Sequence, residues 1–315
     1  FPATFGATPP KVNNTNLETT GFELELTWKD RIKDFSYSVT MTLADDQSRV
    51  LKYPNSTGDL SDYIAGQLTG NIYGYTTIGI AKTSEEMLAH LESLRDTRIA
   101  LGLDPIGVDG LGGQSDGGLG RGLGAGDIMY ADINGDGRIS TGNNTIYDMG
   151  DLKIIGNTRP RYQTSARFDF EWKGIDFSMY WQGVLKRDYY PDPNNNSGLS
   201  SGQNLNMLFW GATRGGVSFS TVLKEHMDYF RASEDDPLGQ NLDAYYPAPI
   251  FNLRNQQKQT RYLQSAAYVR LKNIQIGYSL PKKWMTGVGI SKVRVFGTAE
   301  NLLTLTEMTK LLDPE

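Results

Sequence analysis

An all-β chain whose strands form part of a membrane-spanning antiparallel β-barrel is the fold that the sequence predicts. Three observations lead there. Several stretches alternate apolar and polar residues in period two, each is about as long as a strand crossing an outer membrane, and aromatic residues gather near their ends. Successive side chains on a strand point to opposite faces, so each such stretch has one oily face and one polar face. A strand of a soluble sandwich has the same local pattern. Its recurrence along the chain, with aromatic ends, suits a wall between lipid and a watery lumen.

The first element is a hairpin. In Gly21–Lys29, Phe22, Leu24, Leu26 and Trp28 alternate with Glu23, Glu25, Thr27 and Lys29. A short polar connection leads to Asp34–Ala44, where Phe35, Tyr37, Val39, Met41 and Leu43 alternate with Ser and Thr. The second hairpin places Phe168, Phe170 and Trp172 before a Lys173-Gly174 turn, then Ile175, Phe177, Met179 and Trp181. The glycine suits the positive φ of a two-residue turn. In the third group, Ala266–Leu280, the apolar parity slips near Asn273. A bulge is expected there, since a slip would otherwise turn the oily face inward. Pro281 ends that strand, and Ser291–Asn301 is one more strand.

Two long connections, about residues 45–161 and 186–262, separate these groups. Loops of that length usually carry function. The first holds a helix from Ser84 to about Leu101, opened by Thr83 with Glu86 three residues on, a capping box. Met87, Leu91 and Leu94 form its packed stripe. Gly110–Gly126 is glycine-rich and expected to be flexible. The second connection holds a short helix around Ser220–Arg231 and then the turn-rich SEDDPLGQN. Short turns on one side and long loops on the other are the asymmetry of outer-membrane barrels.

Composition sets further bounds. The 315 residues are 38% hydrophobic with a mean hydropathy of -0.43, and no segment approaches the roughly 20 apolar residues of a membrane helix. That excludes helical membrane proteins and leaves a barrel open. A net charge of -5 argues against a nucleic-acid partner, which calls for a basic face. With no cysteine and two histidines, His90 and His226, Cys-based redox or metal sites are absent and His-based catalysis is poorly supplied. The opening FPATFGATPP lacks the basic start and apolar core of a signal peptide. The chain is therefore expected to be a mature soluble protein or a piece of something longer.

One stretch has ligand spacing. In DINGDG, Asp132, Asn134 and Asp136 occupy positions 1, 3 and 5 of a calcium loop, Gly137 makes the sharp turn, and Arg138 offers its carbonyl at position 7. Calcium takes six to eight oxygens, which alternating acidic and amide side chains can gather. Position 12 is Asn143 rather than a carboxylate, so Asp148 or Asp151 would have to complete the set. An ion-free polar turn is the alternative. Trp210, Tyr245 and Tyr246 are loop aromatics that could stack on sugar rings or pack within the loop. The GxGxxG-like spacing in the glycine-rich stretch lacks the preceding strand that nucleotide binding needs.

The wording of successive blocks carries a resemblance. ETTGFELELTWKD, DFSYSVTMTLADDQSRVLKY, GQLTGNIYGYTTIGI, GDIMYADINGDGRIS, DLKIIGNTRPRYQTSARFDFEWKGIDFSMYWQGVLKRDYY, YVRLKNIQIGYSLP and VRVFGTAENLLTLTEMTKLLDPE resemble, in order, blocks of the SusC/RagA family of TonB-dependent outer-membrane transporters. The resemblance implies that residues 1–315 are the C-terminal part of a large antiparallel transmembrane barrel, with long extracellular loops containing short helices. It also implies that the plug domain and the final strand are not present. Implied further are a non-enzymatic role in active import across a Gram-negative outer membrane, a SusD-like lipoprotein at the outer mouth, and the TonB complex acting through the plug. The implied substrate is an oligosaccharide, or a peptide. The insert STGNNTIYDMG departs from the family at the calcium-like loop and leaves Asp151 as the nearest acidic counterpart.

Physics favours a piece of a barrel on its own account. An open run of strands has two unpaired edges, and orphan backbone groups in hydrocarbon are too costly unless the barrel closes. Phe22, Leu26, Phe170, Trp172 and Phe177 are expected to face lipid. Glu23, Glu25, Asp169 and Glu171 are expected to face the lumen or plug. The rival from another class is a secreted, calcium-stabilised β-sandwich that binds carbohydrate, whose oily face would be buried against a second sheet.

Overall fold

The two-residue turn expected at Lys173-Gly174 closes a hairpin in the computed structural model, which describes residues 13–104, 122–191, 224–249, 255, 257–285, 289–310 and 312–315. Strand β1 (Asn16–Ile32) turns at Lys33-Asp34 into β2 (Phe35–Lys52). Four short strands follow: β3 (Asn71–Gly74), β4 (Thr77–Ile80), β5 (Ile128–Tyr130) and β6 (Lys153–Asn157), with helix α1 (Ser84–Ala100) between β4 and β5. The second hairpin is β7 (Arg161–Trp172) and β8 (Ile175–Lys186). Its turn residues Lys173 and Gly174 have φ of 48° and 88°, the paired positive values of a hairpin turn that follows the twist of its strands. The short pair β9 (Asp188–Tyr189) and β10 (Gln264–Ser265) precedes β11 (Tyr268–Ser279) and β12 (Arg294–Thr306).

The long strands form one antiparallel sheet in the order β1-β2-β7-β8-β11-β12. Its register stacks like with like across all six strands. Leu26, Met41, Ala166, Trp181, Leu271 and Leu303 form one row, and Trp28, Val39, Phe168, Met179, Ile274 and Ala299 the next. Between them, on the other face, runs Thr27, Thr40, Arg167, Tyr180, Asn273 and Glu300. The register shift between Leu271 and Asn273 is the bulge that the parity slip called for, and it keeps Leu271 and Ile274 in the oily rows.

Large residues of the oily face stand exposed: Leu26 is 60%, Trp28 64% and Ile276 58% exposed. Among the described residues no second sheet stacks on it, which overturns the sandwich alternative. Polar groups on that face are answered locally, as hydrocarbon requires: the Trp28 indole donates to the Tyr37 hydroxyl at 3.3 Å and the Trp181 indole to the Met179 sulfur at 3.4 Å. The rings of Phe35, Phe170 and Phe177 stack in succession, with centroids 6.0 and 5.9 Å apart. β1 and β12 have one neighbour each in the sheet, so the described barrel is partial and open at two edges.

β2 continues to Lys52, pairing with β1 back to Asn16, so the first connection starts about eight residues later than the alternation indicated. Residues 46–49 are all polar, so the oily-polar alternation stops beyond Asp45 although the backbone ladder does not. Asp45 sits at this limit, gripped by both guanidinium arms of Arg161 at 2.5 and 2.6 Å.

The chain divides into two units, one of residues 1–70, 159–188 and 265–315 and the other of residues 71–158 and 189–264. The first holds the sheet. The second is made wholly from the two long connections, which join each other.

Candidate functional site

The polar face of the sheet is the hollow one, as the inside of a barrel must be. An open depression of about 620 Å³ lies over it, lined by Lys29, Arg31, Arg167, Asp169, Glu171 and Gln275 among others. Its charges are partly matched within the sheet: Arg167 grips Asp169 at 2.9 and 3.0 Å, and Arg294 donates to both oxygens of Asp176. Hydroxyls pair across strands, Thr27 with Thr40 at 3.1 Å and Thr42 with Ser165 at 2.7 Å. Asp169 and Glu171 therefore lie on the hollow face, and Phe170, Trp172 and Phe177 on the opposite parity, as expected.

In the second unit, α1 starts as the capping box predicts. Thr83 accepts from the Glu86 amide at 3.1 Å, while the Glu86 carboxylate accepts from the Lys82 amide at 2.7 Å, one residue earlier than an ideal box. Met87, Leu91 and Leu94 are its buried residues, and Met87 and Leu91 pack with Ala81 and Met129. His90 is half-buried on this helix, and burial lowers its pKa.

The two connections are joined by buried side chains that the sequence did not single out. Gln259, fully buried, donates from Nε2 to the Tyr130 hydroxyl at 3.1 Å and to the carbonyls of Asn255 and Gln257 at 3.0 Å each. Its Oε1 accepts from the Thr77 hydroxyl at 2.9 Å. Asn255 bridges in the same way: its Oδ1 accepts from the Ile128 amide at 3.0 Å and its Nδ2 donates to Asp127 at 2.8 Å. The Asp127 carboxylate then takes the Gly124 amide at 2.9 Å. Backbone bonds run alongside, Tyr75 N to Lys258 O at 2.8 Å and Ala248 N to Gly126 O at 2.8 Å. Tyr75 and Tyr130 pack at 5.1 Å between centroids; desolvation pushes the Tyr75 phenol up to about 12 and raises the Tyr130 phenol as well. Both phenols stay neutral at physiological pH.

Residues 132–151 form a self-closed loop. Asp132 accepts from the Gly135 and Gly137 amides at 2.8 Å each, Asn134 from Asp136 N at 3.0 Å, and Asp136 from Arg138 N at 2.7 Å. Asp151 lies fully buried beneath and accepts from Ile133 N at 2.7 Å and Ser140 N at 2.6 Å. Burial raises its pKa, and the charge of Asp132 adds to the rise. Ile139 is buried, as an apolar anchor should be. At Gly137, φ is 73° and an added Cβ would strike the Leu94 carbonyl and Arg98 of α1, so the loop is seated on the helix. Asp132, Asn134, Asp136, Arg138 and Asp151 are thus brought into one loop. Among the described residues, no group of three or more acidic, His or Cys side chains converges closely enough to hold a metal. Each carboxylate oxygen keeps a second lone pair.

Tyr245 and Tyr246 belong to an aromatic cluster. Tyr246 is buried, stacked on Tyr262 at 5.8 Å and edge-on to His226 at 5.2 Å. Tyr245 meets Tyr246 and Tyr262 edge-on and lies under the Arg261 guanidinium at 5.5 Å. The rings pack on protein in this arrangement. Trp210 lies outside the described residues. Of the helix expected over 220–231, the described part has one 3-10 turn, Lys224–Met227. The next residues are drawn out by long-range backbone bonds, Tyr246 N to Asp228 O and Phe230 N to Tyr246 O.

No protein-family model matches the chain. Three curated proteins of Formosa agariphila do: TonB-dependent receptor P3 is 25% identical over 96% of this chain, TonB-dependent receptor P26 is 23% identical over 96%, and TonB-dependent receptor P39 is 22% identical over 97%. The resemblance to the SusC/RagA family holds. Among solved structures the RagAB peptide transporter superposes over 100% of the chain with a TM-score of 0.60 at 16% identity, and the RagAB peptide importer in its open-open state does so with a TM-score of 0.56. At that identity the match speaks for the fold: a partial SusC/RagA-type barrel with elaborate loops. The chain spans about a quarter of the length of these relatives, 26% of the P3 receptor and 28% of the RagAB chain.

Proposed function

We propose that this chain is the C-terminal part of the barrel of a TonB-dependent importer in a Gram-negative outer membrane, and that it performs no catalysis itself. The observation that carries the reading is the two-faced sheet: oily rows run unbroken across six strands on one side, and a hollow charged face lies on the other. Such a surface needs lipid outside and water inside. The two long connections enter and leave at the end opposite the hairpin turns, which in outer-membrane barrels is the extracellular end. A SusD-like lipoprotein would dock over them, and the TonB complex would act through a plug outside these residues.

The cargo we propose is an oligosaccharide. A peptide is the second reading, favoured by the fold match to proteins described as peptide transporters. The full-length protein, expressed with its native partners, is expected to fractionate with outer membrane. Its deletion should abolish uptake of labelled oligosaccharide, and TonB-deficient cells should lose the same uptake. Recovery in the soluble fraction would sink the importer reading, and loss of peptide uptake alone would move the cargo to the second reading.

Calcium at Asp132, Asn134, Asp136 and the Arg138 carbonyl, with Asp151 beneath, is part of this proposal. The remaining lone pairs of those oxygens would have to turn toward the ion. Metal analysis of the wild type and Asp136→Ala tests it, and equal calcium content in the two would remove the site.

A further inference from the structure

After β12 the chain turns back onto the hollow face, at the end of the sheet away from the hairpin turns. Arg270 of β11 lies there in the polar row Glu25, Thr42, Ser165, Gln182, Arg270 and Thr304. The wall holds its guanidinium in place: Nε donates to the Thr304 hydroxyl at 2.9 Å, and the Tyr268 ring centre lies 5.7 Å away. The returning segment takes the rest of the fork. Nη1 donates to the Glu315 carboxylate at 2.7 Å and Nη2 to that of Asp313. Lys272 donates to both oxygens of Glu315 at 2.8 Å each. Arg187, just past the end of β8, donates from Nη1 to the Pro314 carbonyl at 3.4 Å, and its Nε is buried with no hydrogen-bond partner.

The two sides of this contact are unequal. The Arg270 side chain is 8% exposed, whereas those of Asp313 and Glu315 are 64% and 38% exposed. Among the described residues, no other carboxylate comes within ion-pairing distance of Arg270 or Lys272. A buried guanidinium left unpaired is costly, so this wall requires an anion, whatever supplies it. The planar fork fits carboxylate oxygens. The cations are thus the fixed part and the carboxylates the exchangeable one. We propose that Arg187, Arg270 and Lys272 form a carboxylate-binding site inside the barrel, which Asp313 and Glu315 fill as an internal ligand and which the carboxylates of an acidic cargo take over. The inference rests on the importer reading above and deepens it by assigning the cargo's chemistry. An internal ligand on a short segment acts at an effective concentration on the order of millimolar. A single carboxylate therefore competes poorly, and a chain bearing several competes well.

The test uses the full-length protein, purified in detergent with its native partners, and titration calorimetry with tetragalacturonate, tetraglutamate and neutral maltotetraose. Asp313→Asn/Glu315→Gln removes the internal ligand and should tighten tetragalacturonate at least about tenfold over wild type, with maltotetraose unchanged. Arg270→Gln/Lys272→Gln in that background should abolish the gain, with barrel integrity verified by heat-dependent gel mobility. Glu25→Gln removes a carboxylate from the same row four strands away and should leave the affinity within about twofold of wild type, since salt screens it. A gain for tetraglutamate in place of tetragalacturonate keeps the site and assigns it to an acidic peptide. No gain for either acidic tetramer, an equal gain for maltotetraose, or a gain that survives Arg270→Gln/Lys272→Gln overturns the proposal. Each of those results leaves the importer reading standing, because fractionation and uptake decide that reading.

Discussion

The sheet and the loop unit satisfy their backbones by opposite means. In the sheet, neighbouring strands answer the backbone except along the open edges of β1 and β12, and side chains are left to meet the surroundings, so large apolar residues stand exposed on one face. In the loop unit the strands are two to five residues long, and buried side chains take over the joining: Gln259 reaches the Thr77 and Tyr130 hydroxyls, Asn255 reaches the Ile128 amide and the Asp127 carboxylate, and Asp151 takes the Ile133 and Ser140 amides. A periodic ladder tolerates varied side chains provided that parity is kept. A loop unit held by a few amides depends on single residues. The first arrangement makes a wall, and the second makes a surface that can be rebuilt without disturbing the wall.

The largest expected effect tests the parity of the wall. Met41 and Thr40 are neighbours on β2, in an oily row and a polar row respectively. Met41→Arg should cost about 2–4 kcal/mol in a bilayer, as a cation on the lipid face near mid-depth does. Thr40→Arg points to the hollow face and should cost far less. Folding into lipid vesicles, followed by gel mobility across a urea series, measures both. Equal penalties would mean that the oily face does not meet lipid.

The next effect belongs to the loop unit. Gln259→Met keeps much of the volume but removes the side-chain amide, so the Thr77 hydroxyl, the Tyr130 hydroxyl and the carbonyls of Asn255 and Gln257 each lose one partner. Orphaned buried groups cost about 1–3 kcal/mol each, and partial relaxation should leave roughly 2–3 kcal/mol. Hydrogen exchange should then quicken at Thr77, Ile128 and Tyr75 while β7 and β8 stay protected. Loss of protection in the sheet as well would show that the two units do not respond separately.

This contrast also explains what could be read from the chain. The hairpins, the bulge at Asn273 and the stripe Met87, Leu91 and Leu94 all follow from local period or parity, so a window of about ten residues contains the signal. Strand β2 past Asp45 leaves no alternation to read, because alternation reports surroundings rather than hydrogen bonding. The extended run at Asp228–Arg231 looks helical in sequence because its partners, Tyr246 and Asn241, lie outside any local window. Gln259 and Asn255 carry no local signal at all; in FNLRNQQKQT they look like any polar loop residues. DINGDG lies in a loop with Gly137 at positive φ, but spacing says nothing of where the oxygens point.

The smallest effect concerns Asp151 and sharpens the contrast, since it should appear in the loop unit and nowhere in the sheet. Burial raises its folded-state pKa above the ordinary carboxylate value near 4. The folded loop therefore holds the proton more tightly than the opened loop does. Between the two values the folded form binds more protons, so stability falls as pH rises through this window and the cost is fully present above the folded pKa. Protection of the Ile133 and Ser140 amides, corrected for intrinsic exchange, should increase as pH is lowered from about 7 toward about 4. Asp151→Asn removes the titration and should flatten that trend while weakening one of the two amide contacts. A calcium ion at the loop would reverse the sign, because a bound cation favours the ionised carboxylate. The slope measured with and without added calcium thus separates an ion-free turn from a metal site, even where total metal content is ambiguous.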